Sequence, residues 1–166
     1  MNNINSLIRD VRKRTTSNGA GWKSGIYQVI NKEKYMGLNM PVYKSSFEQR
    51  MMHYLDNNSK VKKWGYETVK IPYTFSLDKR THNYYTDFYT EIEDNTGNIQ
   101  KYILEIKPSS SLVPPVKPKN PTGKAMKNYL YNLTEYMKNK SKWQAAQYFC
   151  ESHNMKFQVI TEKQIF

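Results

Sequence analysis

The stretch from Tyr84 to Lys107 constrains this chain more than any other. Tyr84-Tyr85-Thr86-Asp87-Phe88-Tyr89 and Tyr102-Ile103-Leu104-Glu105-Ile106-Lys107 are two strand-like runs, and Asp94-Asn95-Thr96-Gly97 between them is turn chemistry. The runs predict a hairpin. With the turn centred near Thr96, Asp87 falls directly opposite Glu105. Residues two apart in a strand share a face, so Glu105 and Lys107 project together while Leu104 and Ile106 turn into the core. Two facing carboxylates repel one another unless a cation sits between them. A divalent metal held by two carboxylates, with a lysine beside it, is a phosphodiester-cleaving arrangement. The same three charges also suit the solvated face of an exposed hairpin, with Glu105 and Lys107 as an ordinary surface pair. Against that stands the nearly continuous apolar run Ile103, Leu104, Ile106, which fits a central strand better than an edge.

The net charge of +12 is unevenly placed. Residues 1–44 carry eight Lys and Arg against two acids, and residues 108–142 carry seven Lys against one. The segments 45–107 and 143–166 are each balanced. The excess therefore flanks the candidate catalytic block on both sides, a pattern that suits a polyanion gripped from two directions. A generic solubilising charge produces the same totals. No apolar run approaches membrane-spanning length, and the amino-terminal residues lack the apolar core of a signal peptide. A single cysteine, Cys150, rules out an internal disulfide and a multi-cysteine zinc site. The expectation is a non-secreted protein from a reducing compartment, without a membrane partner or a small-molecule cofactor.

Along the chain, residues 1–42 read as a basic amino-terminal arm and residues 43–166 as the catalytic domain. Ser45-Ser46-Phe47-Glu48 opens a helix whose apolar face continues through Met51, Tyr54 and Leu55. Trp64 to Phe75 reads as one strand, with Pro72 marking a bend or an edge. Strands over Tyr84–Ile92 and Gln100–Lys107 follow. Five of the seven prolines fall between Pro108 and Pro121, which makes that segment an extended basic loop. Thr122 caps a helix carrying Met126, Leu130, Leu133 and Met137. Ser141 starts another with Trp143, Ala146 and Phe149. Asn154 stops it, and Phe157–Ile160 is a closing strand. Helix, three strands, helices and strand make an α/β fold in which a mixed sheet lies between helices, the core order of the restriction-endonuclease-like fold.

Asp87, a spacer and Glu105-Ile106-Lys107 match the PD-(D/E)xK nuclease signature, with Thr86 in place of its leading proline. The surroundings are more specific. Tyr43-Lys44-Ser45-Ser46-Phe47-Glu48, Val61-Lys62-Lys63-Trp64-Gly65-Tyr66-Glu67, Ile71-Pro72-Tyr73, Glu105-Ile106-Lys107-Pro108, Pro114-Pro115-Val116-Lys117-Pro118 and Lys142-Trp143-Gln144-Ala145-Ala146 resemble the head-completion nucleases of contractile-tailed bacteriophages. The likeness covers about residues 43–163 and extends more distantly to the endonuclease subunit of cut-and-paste transposases. It implies a Mg²⁺-dependent DNA endonuclease, with Mn²⁺ as a substitute, that joins the phage head late in assembly and processes packaged DNA ends. Its implied partners are double-stranded DNA and head, neck or portal-vertex proteins. Its implied location is the host cytoplasm during assembly and then the virion.

The residues then take roles. Asp87 and Glu105 bind the metal, the Ile106 carbonyl is a further ligand by resemblance, and Lys107 orients the attacking water or stabilises developing charge. Ser45-x-x-Glu48 is a capping box, which accounts for Glu48 structurally. In related nucleases a Glu of the first helix also faces the metal, so Glu48 has a catalytic reading too. Arg12, Lys13 and Arg14 in the arm, and Lys117, Lys119 and Lys124 beyond the site, are candidate phosphate contacts. Tyr84 and Tyr85 are placed beside the DNA backbone. Two other functions fit the same residues: a non-enzymatic DNA-binding head or neck component, and a junction-resolving or transposition nuclease.

Overall fold

The computed structural model describes residues 24–165. Strands β1 (Gly25–Ile26) and β2 (Val42–Tyr43) form a small antiparallel ribbon. Helix α1 (Ser46–Asn57) follows, then β3 (Val61–Tyr66), β4 (Lys70–Thr74), β5 (Thr81–Tyr85), β6 (Phe88–Glu93) and β7 (Ile99–Ile106). A 3₁₀ turn over Ser109–Leu112 leads through the proline-rich loop into α2 (Gly123–Ser152), β8 (Lys156–Ile160) and the short α3 (Glu162–Ile165). The main sheet has the order β3-β6-β7-β8, antiparallel except for the parallel pair β7/β8. This is the restriction-endonuclease-like mixed sheet with helices on its faces.

Strand β7 is central, and both its faces are buried, as its apolar run requires. On one face, Leu104 and Ile106 meet Met51, Met52 and Leu55 of α1 together with Trp64, Phe88 and Ile160. On the other, Ile103 packs with Tyr89 and Cys150 of α2. The β4–β5 hairpin, through Ile71, Tyr73 and Tyr84, closes over Ala146 of α2 on that second face. No described helix is long and apolar enough to cross a membrane.

Two expected strands are each divided. The run from Trp64 to Phe75 breaks at Glu67, whose φ of 52° turns the chain out of the main sheet into β4. The run from Tyr84 to Ile92 breaks at Thr86-Asp87, where the Thr86 N–H donates to the Val69 carbonyl at 3.0 Å. The residues between these breaks form a separate two-stranded sheet, β4/β5, inserted into the expected order. Across Thr86 the alternation of Tyr84, Phe88 and Ile92 keeps its phase and gives no sign of the break, whereas at Glu67 the apolar positions shift from Trp64 and Tyr66 to Val69 and Ile71. Pro72 sits in β4, which pairs only with β5, and this agrees with its lack of a ladder donor.

The two expected helices of the carboxy-terminal half are one. Thr122 caps it, accepting the Ala125 N–H at 3.3 Å, and Ser141 lies in its interior. No Gly or Pro interrupts residues 124–152, and an internal Ser costs only a few tenths of a kcal/mol, too little to break the helix. Asn154, at φ 52°, ends the helix as expected. The Met155 N–H returns to the Cys150 carbonyl at 2.8 Å, closing a Schellman motif.

The boundary expected at residues 42/43 does not coincide with a break in packing. Tyr27 and Val29 are part of the α1-side core. The link is Asp56, at the end of α1, which is fully buried. Its carboxylate accepts the Tyr27 hydroxyl at 3.0 Å and the Ile30 and Asn31 N–H groups at 2.8 and 3.0 Å. Asp56→Ala leaves those donors without an acceptor, at about 1–3 kcal/mol for each buried one. A loss of roughly 3 kcal/mol or more is expected in urea denaturation, with Asp56→Asn losing less because it keeps one oxygen.

Candidate active site

The turn that sets the site is built by Asp94. Its Oδ1 accepts the Thr96 and Asn98 N–H groups at 2.8 and 3.0 Å, and Gly97 supplies the positive φ of 85°. The resulting register pairs Glu93 with Ile99 and Phe88 with Leu104. One step further, Asp87 stands across from Glu105, as the hairpin reading expects. Asp87 lies just before β6, and its side chain completes the ladder: Oδ2 accepts the Ile106 N–H at 2.7 Å. N–H and C=O of one strand residue point to the same side, so the Ile106 carbonyl is directed toward Asp87 as well.

Glu105 is only 2% exposed. Its Oε2 accepts the Tyr84 hydroxyl at 2.5 Å, and its Oε1 pairs with Lys107 Nζ at 2.8 Å. These charges are therefore not the solvated surface pair that an exposed hairpin would show. Burial raises the Asp87 carboxyl above the ordinary carboxylate range and Glu105 raises it further, while Lys107 and the Ile106 N–H pull it back. Burial works against the Lys107 charge, but Glu105 and Asp87 outweigh it and hold the ammonium above its usual range. Two carboxylates and one strand carbonyl make an all-oxygen donor set suited to a hard divalent cation. Among the described residues no three His, Cys, Asp or Glu side chains converge into a closed cage. Magnesium, which keeps several waters and needs only one or two carboxylates, matches that sparse set.

A family model described as TnsA-like endonuclease N terminal matches residues 58–162. The matched span contains Asp87, Glu105 and Lys107. The chain belongs to the TnsA-like endonuclease family. It is also 34% identical over 140 residues to a protein named Head completion nuclease from Enterobacteria phage T4, covering 84% of this chain and 91% of that one. That alignment is longer than the span 43–163 over which the sequence motifs carry the resemblance.

Within this TnsA-like endonuclease, a second group of charges borders the first. The Ser45 hydroxyl accepts the Glu48 N–H at 3.2 Å, so half of the expected capping box forms. The reciprocal half differs: Glu48 Oε2 takes the N–H of Lys44, one residue before the cap, at 2.6 Å, and the Tyr66 hydroxyl at 2.8 Å. Glu48 adds to the negative field at Asp87 and Lys107, though it bonds to neither. Glu67 pairs with Lys44 at 2.5 Å, and its N–H donates to the Asp87 carbonyl at 3.1 Å. The αL conformation of Glu67, unfavourable for a residue with a Cβ, thus sits against Asp87.

The remaining candidates fall in different places. Lys117, Lys119 and Lys124 are exposed, on the proline-rich loop and the first turn of α2. Arg12, Lys13 and Arg14 lie outside the described residues. Tyr85 is exposed, whereas Tyr84, expected beside DNA, is 2% exposed with its hydroxyl on Glu105. His82 lies in β5, and its Nε2 pairs with Asp78 at 2.8 Å. Gln144 is exposed. The roles of Tyr84 and Tyr66 as hydroxyl donors to Glu105 and Glu48 escape a sequence reading. Their one signal is strand alternation, which turns Tyr84 inward and Tyr85 outward.

Glu48→Ala should cost about 1–3 kcal/mol in chemical denaturation, because the buried Tyr66 hydroxyl and the Lys44 N–H lose their acceptor. Glu48→Gln retains a carbonyl oxygen at that point and should lose clearly less.

Proposed function

We propose that this chain is a metal-dependent DNA endonuclease acting in phage head completion, where it processes packaged DNA ends. The observation that carries the reading is a facing pair of carboxylates, Glu105 buried and Asp87 half-buried, with Lys107 on one of them. Burying like charges side by side is costly, and a site that binds a cation offsets the cost. A purely structural DNA-binding component has no use for such a pair. The head-completion assignment rests on the likeness to the phage T4 protein, and cleavage rests on family membership together with the site.

Asp87, Glu105 and the Ile106 carbonyl would hold Mg²⁺. When bound, the ion supplies Lewis-acid polarisation of a phosphoryl oxygen and acidifies water at neutral pH. Tyr84 keeps Glu105 Oε2 in place, and the Ile106 N–H does the same for Asp87 Oδ2. Lys107, already charged and fixed on Glu105 Oε1, orients the attacking water or stabilises the charge that builds on the phosphate. Glu48 adds negative field at the rim. Lys117, Lys119 and Lys124, with Arg12, Lys13 and Arg14, would bind flanking phosphates.

Plasmid nicking by the purified full chain tests the reading. Mg²⁺ or Mn²⁺ should support it, and Ca²⁺ should bind yet support it poorly because it coordinates loosely. Asp87→Ala or Glu105→Ala should lose more than about 100-fold, a larger loss than removing only a ligand's outer support would cause. Both variants should stay folded in EDTA, because the donors they leave without an acceptor, Tyr84 and Lys107 at Glu105 and the Ile106 N–H at Asp87, are offset in part by the repulsion relieved. Full activity in either one sinks the site assignment. Linear and branched substrates compared side by side separate end processing from junction resolution.

Phosphate gripping by the basic segments predicts a second outcome. Deleting residues 1–23 removes Arg12, Lys13 and Arg14 but spares Tyr27 and Val29. It should lower the slope of log affinity against log salt by about 2–3, close to 0.9 per lost phosphate contact. An unchanged slope in filter binding would assign this segment to a protein partner instead.

A further inference from the structure

Helix α2 puts a lysine on its buried side. Lys142 lies four residues before Ala146 and seven before Phe149, both of which pack against the second face of the sheet. Its ammonium sits 5.5 Å from the ring centre of Tyr84 and 6.0 Å from that of Tyr73. Each distance is within the reach of a cation–π contact. Tyr84 is the residue whose hydroxyl is bonded to Glu105, so a single ring separates this ammonium from the acidic pair.

The neighbouring ammonium groups are already committed. Lys107 is paired with Glu105, Lys44 with Glu67 and Lys138 with Glu135. Lys142 has no hydrogen bond or ion pair among the described residues; two neutral rings face it, and the charges of Glu105, Lys107, Lys138 and Glu135 act on it only from a distance. Both oxygens of Glu105, the acid that acts on it most strongly, are taken by Tyr84 and Lys107. Burial accordingly lowers the tendency of Lys142 to hold its proton. A partly buried cation without an anion is destabilising on its own, and an incoming anion reverses that. Aromatic rings suit such a post, because they steady the charge without competing for its hydrogen bonds.

We propose that Lys142, seated on Tyr84 and Tyr73, is a phosphodiester-binding subsite that receives a phosphate of the DNA strand next to the one being cut. The proposal rests on the reading of the chain as a DNA endonuclease and adds a contact on α2, away from the basic loop and the amino-terminal segment. Lys142 binds substrate here, and through Tyr84 it also helps to set the position of Glu105.

The test needs neither metal nor cleavage. Binding of the full chain to a short DNA duplex is titrated across salt concentrations in EDTA, with Lys142→Met and Lys142→Arg beside the wild type. Methionine keeps the apolar stem and removes the charge, whereas arginine keeps the charge. The Met variant should show a slope of log affinity against log salt smaller by about 0.9, one phosphate contact, and the Arg variant should restore it. Thermal melting should find the Met variant at or above the wild type, since an uncompensated charge has gone. An unchanged slope in the Met variant, or a reduced slope that Arg fails to restore, overturns the subsite and leaves Lys142 as a packing residue. If the Met variant does not fold, Lys142→Gln is read in the same titration. A wild-type chain that binds DNA but never nicks it with Mg²⁺ refutes the nuclease reading separately, without touching this result.

Discussion

The antiparallel pairing of β6 with β7 is the constraint on which the rest of the site depends. Asp94 folds the turn onto its own carboxylate, and the register that results leaves Asp87 at the end of the ladder opposite Glu105. There a side-chain oxygen replaces a backbone carbonyl as acceptor for the Ile106 N–H. A slip of one residue would send Glu105 and Lys107 to the α1 face and put Leu104 and Ile106 in the site. Because both faces of β7 are buried, such a slip would place charges in an apolar core and is strongly disfavoured.

The cost of burying Glu105 is met by elements that come from elsewhere in the chain. The β4–β5 hairpin leaves the main sheet at Glu67 and returns at Thr86, and this detour brings the Tyr84 hydroxyl to Glu105. Helix α2 then crosses the same face, with Ala146 and Cys150 close enough to pack tightly and Lys142 beside the tyrosine rings. Hence one hairpin supports the acid and one helix supports the hairpin. The α1 side is organised differently. There the buried carboxylate of Asp56 ties residues 27–31 to the helix end, and Glu48 ties the start of the helix to Tyr66 in β3.

These arrangements divide the acids by environment. The Asp56 carboxylate is bonded by a hydroxyl and two backbone N–H groups, with the Lys34 ammonium on its backbone carbonyl, and it serves the fold. Glu48 and Glu67 are at the rim, each engaged by a Lys44 group. Asp87 and Glu105 face each other beside Lys107, and Glu105 repels Asp87 more strongly than Glu48 does. That difference, and not the number of acids, marks the pair as the proposed cation site of this TnsA-like endonuclease.

Much of this was legible in the sequence. Turn chemistry at Asp94–Gly97 and strict two-residue alternation were enough to place Asp87 across from Glu105. Ser45 and Thr122 marked two helix starts, Asn154 a stop and Pro72 an edge strand, because caps and prolines act through local backbone geometry. Local signals did not show where strands divide: the alternation keeps its phase from Tyr84 through Thr86 to Phe88, and at Glu67 it only shifts phase, as a bulge within one strand also does, while the bonds that join the two breaks, Glu67 to Asp87 and Thr86 to Val69, are tertiary. Nor could they show that α2 runs through Ser141, that Tyr27 and Val29 join the core, or that Lys142 meets Tyr84 across 58 residues of chain. Hydrogen bonds between neighbours follow from residue type and spacing, whereas a buried ammonium facing two rings depends on how a helix and a hairpin dock, which tertiary packing alone decides.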